Sequence, residues 1–405
     1  MLYGILTFVY QMSSRREANR VMTKPQFVEN LTLLFPELES IPHHDSLQRL
    51  LATIDVEKIE QAHIELVRRL IKNKKFHRYL IDRSYPIAVD GTQKFKRDEI
   101  WSQECSGRTV GKGENKRPQY FVNILEATLS FHNGMVIPLM SEFLEYTKGD
   151  ISEKKEDCET KAFKRLAARL KKEFKRLPIM LLLDGLYPNG PLMEICRRNK
   201  WDFMMVLQDK SLPSVWEEFY ALTKLQSNCR ENMTWGDREQ KFKWVNEIEY
   251  YYGPNQQKRI VLHMVTCAEN WQEVDPSTCE IVNKTSKHVW ISSKALTKSN
   301  LHERCNLAAR FRWGIENNIL IEKHHGYQYE HCFSYNWKAM KGYHYLMHLG
   351  HLLNILAEYS EKLSGYIKKN GIRNLIQFVL TTLTGPWLGD EPQEQITKPC
   401  QLRLV

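Results

Sequence analysis

Long apolar runs are missing from this 405-residue chain, as is any C-x-x-C pair among its nine cysteines. The longest N-terminal apolar stretch, Met1 to Met12 (MLYGILTFVYQM), falls short of the ~20 residues that span a bilayer. It also lacks the basic n-region and small-residue cleavage site of a signal peptide, so it reads as one buried helix. A missing upstream piece would fit so abrupt a start. An odd number of scattered cysteines excludes a disulfide framework and a ribbon-type zinc site, which leaves a reducing cytoplasm as the expected compartment. Glycine (19) and proline (15) are too scarce for a fibrous or mainly disordered chain. Acidic residues are in deficit, Asp+Glu 48 against Lys+Arg 58, for a formal charge of +10. That excess permits a polyanionic partner, because each cation placed on a phosphate releases counterions, but it does not name one. Mean hydropathy of -0.50 with 42% hydrophobic residues describes a globular chain with a sizeable core.

No internal repeat interrupts the pattern along the chain. After the first apolar segment and the basic link SSRREANR, three amphipathic stretches form a helical N-terminal module over 1–80, an accessory or DNA-binding unit. Asp45 with Gln48 resembles a capping box, Asp55 caps the next helix, and Ile59, Ala62, Leu66 and Leu70 share one face of it. His43 and His44 fall in the connecting turn, where solvent is their expected partner. From Tyr85 the pattern changes to strands: YPIAVDG, QYFVNILEATLSF and MVIPLM. A helix at 158–177 follows, with Phe163, Leu166, Leu170, Phe174 and Leu177 inward and eight Lys or Arg outward. Two near-continuous apolar runs, PIMLLLDG and DFMMVLQ, indicate strands covered on both faces. Residues 81–209 thus make the first part of an α/β core, and 210–298 read as a β-rich insertion containing FKWVNEIEYYY, RIVLHMVTC and HVWISS. Asn300 with Glu303 would cap one helix running through ARFRWGIENNILIEK to a stop near Gly326, within a second core part at 299–335. Two further helices and a loose Pro-rich tail fill 336–405.

Two acidic residues stand out by location. Asp90 ends the first core strand in AVDGT and Asp184 ends the fourth in LLLDG, at the carboxyl edge where ligands of open α/β sheets bind. Taken singly, each Asp-Gly is also an ordinary turn signal. In RWGIENNILIEK, Arg312, Glu316 and Lys323 point within ~40° of one another on a helix, at about 100° per residue. Alone, that face would be an ordinary exposed ion pair worth ~0.3 kcal/mol.

Together these motifs resemble the DDE-type insertion-sequence transposases, in the branch with a β-rich insertion before the last acidic residue. The resemblance runs from SLQRLLATID near Leu47 to YHYLMHLGHLLNILA and rests on AVDGT, LLLDG and an R-x3-E-x6-K signature formed by Arg312, Glu316 and Lys323. The family signature begins with a Tyr where this chain has Ala309. The resemblance implies a ribonuclease-H-like mixed sheet with flanking helices, interrupted by the insertion. It further implies metal-dependent DNA cleavage and strand transfer in cut-and-paste transposition. Asp90, Asp184 and Glu316 would be the catalytic and metal-binding residues, holding two Mg2+ ions, or Mn2+ in their place. Arg312 and Lys323 would hold DNA phosphates. The partners implied are transposon-end DNA with terminal inverted repeats, target DNA and a second copy of the chain in a synaptic homodimer. No membrane is involved, and the location is cytoplasmic, on the nucleoid when DNA is bound. Two alternatives stand beside this: an inactive DNA-binding relic and a metal-dependent endonuclease without strand transfer.

Other motifs carry less. His344, His348 and His351 recur at helical spacing, but a zinc reading lacks an acid or a fourth ligand at short range, and core or surface histidines are the better reading. His324, His325, His331 and Cys332 lack regular ligand spacing. Trp235, Trp244, Trp271 and Trp290 include a candidate for stacking on an extruded base, though most belong to a core. Lys94, Lys96, Arg97, Arg108, Lys112, Lys116 and Arg117 read equally as a DNA-following track and as a solvated hairpin.

Overall fold

The strand YPIAVDG opens a sheet because its β-branched and aromatic residues suit a pleat buried on both faces. The computed structural model describes residues 1–145, 158–226, 228–386 and 401–405. Strands β1 (Tyr85–Arg97), β2 (Ser106–Val110), β3 (Arg117–Ser130) and β4 (Val136–Phe143) come first, then β5 (Ile179–Leu183) and β6 (Asp202–Val206). Helix α6 (Glu159–Glu173) precedes β5, and α7 (Gly190–Asn199) lies between β5 and β6. Before them stand α1 (Leu2–Val9), α2 (Arg15–Met22), α3 (Pro25–Leu34), α4 (His44–Thr53) and α5 (Glu57–Lys72). After β6 come α8 (Pro213–Leu225) and the strands β7 (Arg230–Trp235), β8 (Arg238–Tyr252), β9 (Lys258–Val274) and β10 (Ile281–Ser292). The chain closes with α9 (Trp313–His324), α10 (Trp337–Glu358), α11 (Ser364–Asn370) and α12 (Ile372–Thr384). This is a mixed α/β fold around one ten-stranded mixed sheet.

The order β2-β3-β1-β5-β6-β10-β9-β8-β7 is continuous, with β4 also paired to β3. β1 runs antiparallel to β3 and parallel to β5, and β5 runs parallel to β6. Parallel pairs need crossovers long enough to hold a helix, and α6 and α7 supply cover for them. The uniformly apolar β5 conceals a two-residue alternation. Leu181 and Leu183 join the core beside Phe163 and Leu166 of α6, whereas Met180 and Leu182 join Ile315 and Ile319 of α9. Residues 210–298 are not a detached module, since β10 pairs with β6 through Trp290↔Val206 and extends the same sheet.

The N-terminal helices pack on α10, where Tyr3, Phe8, Met22 and Leu51 share a core with Tyr343, Leu346 and Met347. No described helix is long and apolar enough to cross a membrane. Several local expectations need correction. The capping box at Asp45 does not form, because the His43 ring accepts from the Asp45 amide while Gln48 is engaged by Arg15 and Ser334. Four helices, α2 to α5, replace the three stretches, and the buried face of α5 includes Glu60, His63 and Val67 while Ala62 is exposed. Asp55 does accept from the Glu57 amide. The expected single helix after Asn300 is divided into a π-type turn at His302–Ala308, a 3-10 turn at Ala309–Arg312 and then α9. A wide turn there keeps Cys305, Ala308 and Ala309 against the sheet, which a straight α-helix would rotate away. Among the described residues three helices rather than two run from Trp337 onward, and most of the Pro-rich tail lies outside those residues.

Candidate active site

The register of the central strands places two carboxylates side by side. Ala88 of β1 pairs with Leu182 of β5, so Asp90 and Asp184 each stand two residues further along adjacent parallel strands. Both therefore sit where the β1–β5 pairing stops, but Asp90 does not end its strand as expected: β5 finishes at Leu183, whereas β1 continues beside β3 to Arg97. Asp184 is the first polar residue after the apolar β5, and its Oδ1 accepts from the Leu186 amide at 2.9 Å, which turns the chain away from the sheet. Asp90 Oδ1 accepts from the Gly91 amide at 2.9 Å.

The third carboxylate comes from α9. Gly314 lets this helix start close to the β3–β4 hairpin, since a Cβ there would lie 2.9 Å from Val136 Cγ2. Glu316 then occupies the first turn, where the helix dipole favours an anion. Arg312, in the turn before, donates from Nη2 to Glu316 Oε1 at 2.6 Å. The guanidinium is 5% exposed, yet its Nε and Nη1 have no acceptor among the described residues. Buried donors left unpaired cost about 1–3 kcal/mol each, so this guanidinium keeps unused capacity to donate hydrogen bonds.

Electrostatics ties the group together. Burial pushes the Asp90 carboxyl up to about 6; Arg312 opposes that shift, and Glu316 and Asp184 add to it. Arg312, Glu316 and Asp184 are thus all near enough to act on Asp90. A fourth carboxylate was missed in the sequence. Glu159, in the first turn of α6, comes so close to Gly91 that a Cβ there would collide with it. Burial and then Asp184 raise its carboxyl above the usual range. An acid in the first turn of the helix preceding β5 was the available signal, but such acids usually serve only the helix dipole. The buried hydroxyl of Tyr187 faces Glu159, Asp184 and Asp90, and burial followed by these charges raises its pKa.

Lys323 is not drawn into this cluster by any direct contact. Its Nζ pairs with Glu330 Oε1 at 3.1 Å and lies over the Tyr329 ring. Of the basic segment after Asp90, Lys94 turns inward, 4% exposed, and donates to the Tyr329 carbonyl at 2.9 Å. It cannot belong to a surface track. Arg108 binds Gln119, Arg117 pairs with Asp98, and Lys112 and Lys116 stay exposed. On α6, Arg165 and Arg169 pair with Glu142, and Arg169 also with Glu60, so part of that positive face is engaged within the fold.

The four tryptophans divide cleanly. Trp244 and Trp290 are core, whereas Trp235 and Trp271 lie under Arg310 and Arg238. Trp235, Arg238, Arg310, Trp313 and Asn317 line a groove of about 920 Å³ beside α9. Behind it Arg310 and Arg238 converge on the fully buried Glu269, which Gln240 and Ser286 also contact. No protein-family model matches this chain, and no curated protein matches it.

Beneath α9 lies a second polar group. Glu126, the cross-strand partner of Asp90, faces His344 and His348 of α10, and Glu322 of α9 faces His348 and His351. Burial disfavours both carboxylate ions, but His348 most strongly holds the two acids below their usual range. Burial drives His344 down to about 3, so its ring is neutral. The acid missing near these histidines in sequence is therefore supplied from two other elements.

Proposed function

We propose that this chain is a DDE-type transposase with a ribonuclease-H-like core, cutting DNA at the ends of an insertion sequence and joining them to a target. The observation that carries the reading is the β1–β5 register that sets Asp90 beside Asp184, with Glu316 near enough to act on Asp90 and held by a buried arginine with two unpaired donors. Three antiparallel strands (β1, β3, β4), a helix and two parallel strands support the core assignment. The +10 charge and the Trp235–Arg310 groove suit a nucleic-acid partner.

The donor set fits magnesium, which prefers hard oxygens and completes its shell with water and phosphate. Asp90 would face two ions, with Asp184 and Glu316 each holding one, and Mn2+ would substitute. When bound, such ions supply Lewis-acid assistance to attacking and leaving oxygens of an in-line displacement. Arg312 contributes Nε and Nη1 to a non-bridging phosphate oxygen, while its Nη2 keeps Glu316 oriented. Lys323 reaches DNA by exchanging Glu330 for a phosphate. Water attacks first and frees a 3′-hydroxyl at the element end; that hydroxyl then attacks a target phosphodiester and displaces a target 3′-oxygen. Two ends joined in one event call for a homodimer.

The test uses linear DNA carrying the genomic sequence that flanks the reading frame, with supercoiled plasmid as target. Mg2+-dependent nicking and joined products are expected, both lost in Glu316→Gln and Asp90→Asn. Nicking without joining would indicate a nuclease. No nicking by the parent chain would indicate a relic.

A further inference from the structure

The geometry points to a second metal site, for a tightly held zinc-type ion, formed by Glu126, His344 and His348 beneath α9. It is independent of the catalytic reading, which requires hard, exchangeable ions at a different set of residues. His344 and His348 stand four apart on α10, so their rings project from one helical face. Glu126 is fixed opposite them on β3. The Nε2 atom of His344 is 3.2 Å from Glu126 Oε1, and that of His348 is 3.9 Å from the same oxygen. The ligand atoms of all three residues lie within 4.8 Å of one another. Tetrahedral zinc with ligand bonds of about 2.0–2.2 Å separates neighbouring ligand atoms by about 3.3–3.5 Å, so the group needs only small adjustments to close on an ion.

Two further observations favour an ion. The first is the position of His348 Nε2, whose nearest carboxylate oxygens are Glu322 Oε2 at 3.5 Å and Glu126 Oε1 at 3.9 Å. Both distances exceed a normal hydrogen bond and suit ligands around a common centre. Glu322 borders the three-residue group through His348 without belonging to it, and its charge with that of Glu126 favours a divalent ion there. The second is the ring of supporting contacts. Tyr329 donates to Glu126 Oε1 at 2.8 Å, Ser141 to Glu126 Oε2 at 2.6 Å, and His351 Nδ1 lies 2.7 Å from Glu322 Oε1. Ligating carboxylates are commonly oriented by such outer contacts. Lys94 Nζ lies 3.3 Å from His344 Nδ1, so that ring presents Nε2 to the ion, and the ammonium is the nearby cation opposing it. Imidazole with carboxylate suits zinc, and cobalt reports on the same geometry. Zinc here would fasten α10 to β3 at the cross-strand neighbour of Asp90.

Full-length protein is produced in zinc-supplemented medium, desalted, and analysed for bound metal by mass spectrometry. Parent, Asp90→Asn and a His43→Ala/His44→Ala variant are each expected to retain one equivalent. His348→Gln and Glu126→Gln are expected to lose it. Because these two variants disturb a buried group, X-ray absorption on the parent gives an independent reading, with two imidazoles expected in the zinc shell. A parent that retains no zinc, a shell with fewer than two imidazoles, or full retention in His348→Gln would overturn the site. So would loss of zinc confined to the His43/His44 variant, since those rings with Asp45 form the other close ligand group among the described residues.

Discussion

Replacing Glu269 with Gln tests how the insertion is fastened to the lead-in of α9. Glu269 is fully buried on β9 and receives Arg310, Arg238 and Gln240. Burial by itself would raise its pKa, but Gln240 and the two arginines carry it from 4.5 down to about 2. A carboxyl held below its ordinary range by the fold favours the native state as long as it is ionised. The folded pKa is depressed, so this stability is complete above about pH 4.5 and lost as pH falls toward 2. Glu269→Gln leaves Arg310 facing no counter-charge, and removing one partner of a buried pair costs about 3–5 kcal/mol. In hydrogen exchange at pH 7, amides of β8, β9 and β10 should therefore exchange roughly 10²-fold faster or more in the variant. The parent should show the same acceleration on acidification through pH 4 to 2, after correction for intrinsic exchange, and the variant should not. A variant whose exchange matches the parent within threefold at pH 7 would refute the clamp.

Arg312→Lys removes the planar fork while keeping the charge, so phosphodiester cleavage should fall about 10²-fold with hydrogen exchange of β1 and β5 unchanged; equal cleavage rates would show that the unpaired nitrogens are idle. Gly91→Ala sets a methyl against the Glu159 carboxylate, the far end of a flexible side chain that can turn aside, so thermal unfolding should register a loss of about 1 kcal/mol or less. A second change, Glu159→Ala, should restore most of it; no restoration would place the clash elsewhere. Leu182→Ala opens a cavity between β5 and α9, with an expected loss of about 2–5 kcal/mol in urea unfolding, and a loss below 1 kcal/mol would contradict the packing described.

Much of the core was legible because its signals are local. The apolar runs before Asp90 and Asp184 mark two strands, and Asp184 follows directly on the end of its own, but nothing local to Asp90 shows that β1 continues past it to Arg97. Their direct adjacency depended on the parallel β1–β5 register, which lies between segments almost a hundred residues apart. The helix after Asn300 misled for the opposite reason. Its periodicity is helical, but packing of Cys305, Ala308 and Ala309 on the sheet imposes wider and tighter turns. The apparent cap at Asp45 fails because Gln48 finds Arg15 and Ser334, partners that only the folded chain brings near.

Composition and periodicity by themselves determined a globular α/β chain and most of its strands and helices, and the family resemblance singled out Asp90, Asp184, Arg312, Glu316 and Lys323 as the residues to watch. Tertiary structure alone decided which polar residues become interior. Lys94 and Glu126 look like surface charges in sequence, yet both are buried because α9 and α10 close over one face of β1 and β3. The same closure supplies His344 and His348 with the carboxylates that their own helix lacks, while α6 brings Glu159 up to Gly91 and the loop after α9 commits Lys323 to Glu330. Strand and helix formation follow from neighbours along the chain, whereas desolvation and charge pairing follow from neighbours in space.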